Sequence, residues 1–97
     1  MSKFKLLQPA ARELEVAVAF YGDQASKLGF TFLDEFERAV ELICAMPEAW
    51  SPVDRKIRRF LLRRFPYSVL YSKEENTIII ISVFDQRRKP NSWRRNR

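Results

Sequence analysis

The sequence contains no histidine and a single cysteine, Cys44. Without histidine, the commonest side chain for general acid–base chemistry near neutral pH is missing. One cysteine excludes an intrachain disulfide, and with no imidazole beside it a zinc site of the usual ligand types is not expected. Cys44 has no histidine to activate it as a nucleophile, so it reads as a small buried hydrophobe. Long apolar runs are also missing. The longest mainly apolar stretch is Thr77–Phe84, too short to cross a bilayer as a helix. Lys3 and Lys5 are followed by no sustained apolar stretch of the kind that marks a signal peptide. The expectations are no membrane association, a cytoplasmic location, and no metal or cofactor. Internal repeats and low-complexity segments are absent too.

What is present suits a small globular unit. Ninety-seven residues are expected to form one domain, 1–97, near the lower size limit for a useful core. A hydrophobic share of 46% separates the chain from disordered compositions. The charge is uneven. Residues 1–47 hold five Lys/Arg against seven Asp/Glu, a net −2; residues 48–97 hold thirteen against five, a net +8. The basic field therefore belongs to one structural half, where it suits an anionic or acidic partner.

The hydrophobic period changes twice. Lys3–Gln8 reads as a strand, with Pro9 near a first helical position. Leu14, Ala17, Val18, Tyr21 and Ala25 then form a helical stripe, and Gly29 suits a turn to a second helix, which Thr31 would cap. In that helix Phe32, Leu33, Phe36, Val40, Ile43 and Cys44 share a face, and Pro47 ends it. The short connection predicts an antiparallel helical hairpin. Pro47–Asp54 reads as a loop anchored by Trp50. From Ile57 the period is two: Ile57, Arg59, Leu61 and Arg63 on one face, Arg58, Phe60, Leu62 and Arg64 on the other. Tyr67–Ser72 alternates likewise, Lys73–Asn76 reads as a hairpin turn with Asn76 left-handed, and Ile78–Ile81 as a strand covered on both sides. The expected fold is α+β: an N-terminal strand, an antiparallel helical hairpin, then a three-stranded antiparallel meander forming one small sheet, with a basic C-terminal tail. The face away from the helices would be partly open or covered by a partner.

Two groups of residues carry functional readings. Arg58, Arg59, Arg63 and Arg64 have guanidinium forks that match phosphate or carboxylate oxygens and could stabilise charge on a cleaved phosphodiester. The bland alternative is a solvated sheet face. Arg87, Arg88 and Lys89, with Trp93, Arg94, Arg95 and Arg97, place cations beside an aromatic ring, as nucleic-acid binding uses. Trp93 reads rather as a packing anchor folded back onto the sheet, and Arg87 and Arg88 suit a functional role better than Arg94, Arg95 and Arg97.

Element order and four stretches resemble the RelE/ParE superfamily of type II toxin–antitoxin toxins. The stretches are LGFTFLDEFERAVELI at Leu28–Ile43, PEAW at Pro47–Trp50, IRRFLLRRFPYSVLY at Ile57–Tyr71 and QRRKPNSWRRNR at Gln86–Arg97. The resemblance implies a growth-inhibiting toxin, of a kind also tied to plasmid stabilisation, held in a hetero-oligomer by a cognate antitoxin. On the ParE side the target would be DNA gyrase, with Arg59, Arg63, Arg64, Arg87, Arg88 and Trp93 binding it. On the RelE side the chain would cut mRNA on the ribosome, with Arg58, Arg64, Arg87 and Arg88 as catalytic candidates. RelE-like nucleases use a tyrosine near the C-terminus; this tail has none, which tilts the likeness toward ParE. A degenerate, non-toxic relative and a general nucleic-acid-binding domain also fit the residues.

Overall fold

In the computed structural model, which describes residues 3–97, the chain runs through β1 (Lys3–Leu6), α1 (Gln8–Gln24), α2 (Ser26–Ala45), β2 (Ser51–Pro52), β3 (Ile57–Leu61), β4 (Tyr67–Glu74) and β5 (Thr77–Asp85) to a 3-10 helix, Ser92–Asn96. The meander is present as β3, β4 and β5, but the sheet is not three-stranded. Five strands lie in the order β1-β5-β4-β3-β2, with β1 parallel to β5 and every other pairing antiparallel. The stretch read as a loop supplies β2, whose Ser51 and Pro52 pair with Arg59 and Arg58. Two residues carry no period to read, and proline is confined to such an edge position because it has no N–H to donate.

The hairpin is tighter than the sequence suggests. Ala25 alone separates α1 from α2, and Gly29 lies inside α2, not in a turn. A Cβ on Gly29 would stand 3.0 Å from Gly22 Cα and 3.0 Å from Val18 O, so the two glycines let the helix backbones touch. Thr31 does not cap α2 either. It sits within the second turn, its hydroxyl donating to Lys27 O at 2.9 Å.

Both faces of the sheet are covered by the chain itself. On one side Phe32, Phe36, Val40 and Ile43 of α2 and Ala17 and Tyr21 of α1 pack on Val69, Tyr71, Ile78 and Ile80. On the other, Ile57, Leu70, Ile79, Ile81 and Phe84 form a second cluster closed by Trp93, which is 5% exposed. The tail therefore covers part of the face expected to be partly open or partner-covered, while Arg59 and Leu61 of β3 stay exposed on it. The tail is tied by Asn96, whose Nδ2 donates to Glu13 Oε2 and Ile81 O at 3.1 Å each, and by pairs from Arg94 to Asp54 (3.0 Å) and Arg97 to Glu74 (2.8 Å).

Two backbone details shape the edges. The β4–β5 turn is Glu75-Asn76, and Glu75, not Asn76, takes the positive φ of 56°. Between Leu70 and Tyr71 the register shifts, since Leu70 faces Ser82 and Tyr71 faces Ile80. This bulge in β5 reverses the direction of its edge groups just where β1 ends.

Candidate functional site

Alternation along β3 sends successive arginines to opposite faces. Arg58 lies opposite Tyr71 on the helix side, where its Nη1 donates to Trp50 O at 2.7 Å and braces the loop before β2. Trp50 itself stacks edge-on against Phe60, with centroids 4.6 Å apart. Arg59 lies opposite Leu70 on the tail side and is exposed. The alternation stops at Leu61. Arg63 and Arg64 belong to a loop, not to the strand. Their backbone N–H groups both donate to Glu35 Oε1 on α2, Arg64 at 2.9 Å. Arginine alternating with leucine is uninformative about where a strand ends, and the capping carboxylate is distant in sequence.

The C-terminal arginines separate in the same way. Asp85 Oδ1 and Oδ2 accept from Arg87 Nε and Nη2 at 2.9 and 3.0 Å, a bidentate fork. This pairing, chiefly the side-chain hydrogen bond, holds the Asp85 carboxyl below the usual range and raises the Arg87 guanidinium. Arg87 also lies 6.0 Å over the Tyr67 ring. Arg88 is exposed and forms no ion pair with any described residue. Trp93, a candidate for target contact, is buried beneath the tail with Arg94 over its ring at 4.5 Å, so it cannot stack on a partner.

Of the arginine candidates, the structure brings Arg59 and Arg88 to one cleft and leaves Arg58, Arg63, Arg64 and Arg87 outside it. Arg59 and Arg88 flank this cleft of about 230 Å³ between the sheet and the turn into the tail, floored by Leu70, Phe84 and Trp93. Ser68 and Gln86 form a polar wall, the Ser68 hydroxyl donating to Gln86 Oε1 at 2.8 Å. Pro90 and Asn91 form the rim, and Asn91 adopts a left-handed φ of 65°, a conformation asparagine tolerates. Four other clefts each carry at least one carboxylate; this one has two guanidinium groups and none. Ser68, Gln86 and Asn91 were not singled out in the sequence, although the Pro90-Asn91 pair is a turn signal that could have marked the rim.

Chemically, its two guanidinium groups suit the cleft to an anion. No lysine, carboxylate or tyrosine lines it. Tyr67 and Tyr71 are buried in the core cluster on the helix side. Burial pushes the Tyr71 hydroxyl up to about 12, and it donates to Pro47 O at 2.6 Å. Tyr67 is raised by burial as well. Burial also raises the Cys44 thiol, in keeping with a packing role. Among the described residues, no helix is long and apolar enough to cross a membrane.

Comparison with known proteins adds family and fold. The family model described as ParE toxin of type II toxin-antitoxin system, parDE, matches residues 4–90. Among solved structures, a chain of a chromosomal ParDE TA system from P. aeruginosa superimposes with a TM-score of 0.74 at 18% identity, covering 88% of this chain and 96% of that one. At that identity the likeness speaks to the fold. No curated protein matches the chain.

Proposed function

The chain belongs to the ParE toxin family of type II toxin–antitoxin systems, and from that premise we propose that it inhibits DNA gyrase, engaging an acidic surface with Arg59 and Arg88. The observation that carries this reading is the carboxylate-free cleft those two residues flank. Arg59 and Arg88 form no ion pair with a described residue and keep hydrogen-bonding capacity for an incoming anion, although Asp85 lies near Arg88; Arg87 is already held by Asp85 in a bidentate fork. The cleft's lack of a proton-exchanging side chain supports binding over RNA cleavage. Arg63 and Arg64 lie on a different flank, in a cleft they share with Asp34 and Glu35, and enter the proposal only as outlying positive charge. A cognate antitoxin neutralises the toxin in a hetero-oligomer in the cytoplasm.

The test is induction of the chain without an antitoxin, with DNA supercoiling, the DNA-damage response and translation followed together. The expected outcome is relaxed or broken DNA with translation initially intact, lost when Arg59→Ala and Arg88→Ala are combined. Early arrest of translation with cuts in ribosome-bound mRNA would overturn the proposal in favour of a nuclease.

A further inference from the structure

A second basic cluster lies at the other end of the sheet. There Asp54 closes the loop between β2 and β3. Its Oδ1 accepts from Lys56 N and Ile57 N at 2.9 Å each, and Val53 N donates to Ile57 O at 2.8 Å. These bonds fix a tight loop that carries Arg55 and Lys56, both exposed. The β3–β4 pairing sets Ile57 opposite Ser72, so the loop stands beside Lys73 near the far end of β4. Arg55, Lys56, Arg58 and Lys73 line one cleft there, of about 440 Å³.

Arg55, Lys56 and Lys73 form no ion pair with a described residue. Arg58 gives its Nη1 to Trp50 O, but a carbonyl cancels no charge, so it remains a fourth cation. Two carboxylates line the cleft as well. Glu74 is already held by Arg97 at 2.8 Å, a pair neutral in itself, which leaves Glu48 alone to face the four cations. Among the described residues, none of the exposed large apolar side chains lines this cleft, and Tyr71 is 1% exposed with its hydroxyl on Pro47 O. A protein partner would need an apolar anchor at the centre of its contact. A single strand would need an exposed ring on which to stack its bases. Cations offered without either suit the phosphates of a duplex.

We propose that this cleft grips the phosphate backbone of duplex DNA, without reading its sequence, through Arg55, Lys56 and Lys73. It shares no lining residue with the cleft of Arg59 and Arg88. Along β4, Ser68 lines one cleft and Lys73 the other, roughly 17 Å apart at the rise of a strand. Both can therefore be occupied at once. A target protein that holds DNA would then be engaged at two points, each contact raising the effective concentration of the other. That consequence rests on the reading that the target is gyrase; the DNA contact itself does not.

The experiment titrates a short fluorescent DNA duplex with the full chain over a series of salt concentrations, with no gyrase present. Affinity should fall with salt and should not depend on the sequence of the duplex. Each phosphate contact adds about −0.9 to the slope of log affinity against log salt. Arg55→Ala/Lys56→Ala should therefore make the slope shallower by about two, and Lys73→Ala by about one. Lys27→Ala/Arg38→Ala removes the same charge from exposed positions on α2 and should leave the slope as it was. Equal effects of the two double variants would reduce the binding to net charge and overturn the proposal. Absence of binding at low salt, or tighter binding of a single-stranded RNA of the same length, would overturn it too. Supercoiling by gyrase, read separately, keeps the two claims apart. Inhibition without DNA binding sinks this site and leaves the gyrase reading standing; DNA binding of the predicted form without inhibition does the reverse.

Discussion

At the residue scale, what an arginine does here is decided by whether a local acceptor already holds it. Arg58, Arg59, Arg87 and Arg88 form two adjacent pairs in the sequence, yet one member of each pair is engaged and the other is free. Arg58 is spent on Trp50 O and Arg87 on Asp85. Replacing Arg59 or Arg88 by alanine should therefore weaken target binding by roughly tenfold each, since charge-assisted hydrogen bonds contribute about 1.5–3 kcal/mol. Arg87→Ala should change it far less, and a binding titration on the three variants checks this order. Tyr71 gives a separate, pH-resolved prediction. Its folded value is raised to about 12 by burial, above the ordinary tyrosine value near 10. The neutral hydroxyl is thus favoured by folding, so its contribution is complete below about pH 10 and is lost as pH rises toward about 12. Chemical denaturation from pH 8 upward should show this loss, and Tyr71→Phe should remove the tyrosine's share of the slope while costing about 1 kcal/mol for the unpaired Pro47 carbonyl. The alternation of arginines over the two faces of β3 was legible in the sequence. Their partners were not: the Trp50 carbonyl that accepts from Arg58, and the Glu35 carboxylate that accepts from the backbone N–H groups of Arg63 and Arg64, come from elements that only folding brings near.

At the element scale, the helical periods and the three long strands follow from local pattern, and the departures come from contacts between elements. Gly29 looked like a turn residue because glycine favours turns, but its use is the close crossing with Gly22. Gly29→Ala should force backbone atoms apart and cost about 1–3 kcal/mol, the usual scale of overpacking. A melting curve should fall by about 4–8 °C per kcal/mol for a domain of this size. An unchanged melting temperature would show that the helices have room to separate. The tail was legible in part, since Trp93 reads as an anchor packed back onto the sheet. Trp93 does close the second core cluster over Leu70, Ile81 and Phe84, and what local pattern could not show is the tail's ties to Asp54, Glu74 and Glu13, which lie far away in sequence. Trp93→Ala should cost about 3–5 kcal/mol, as truncation of a buried Trp does, and should raise exchange at the Ile81 and Phe84 amides. The parallel partner of β5 was beyond local reading as well, since β1 and β5 are joined only after most of the chain has passed between them.

At the whole-molecule scale, the +8 half of the chain is not one basic face. The sheet divides its arginines, the tail neutralises two of its own at Asp54 and Glu74, and a carboxylate-free cleft remains at one end of the tail-covered face. On the proposed reading, an acidic target meets a small site within a broader positive field. That field should speed association at low salt, and raising ionic strength should slow it while the contact at Arg59 and Arg88 continues to set the dissociation rate. The most direct measurement is DNA supercoiling by purified gyrase, titrated with this chain and with its Arg59→Ala/Arg88→Ala form. Inhibition by the native chain, weakened roughly a hundredfold in a double variant whose melting temperature is unchanged, is the predicted result, two tenfold losses adding for a pair of independent contacts. Equal inhibition by both forms, or none by either, would contradict it.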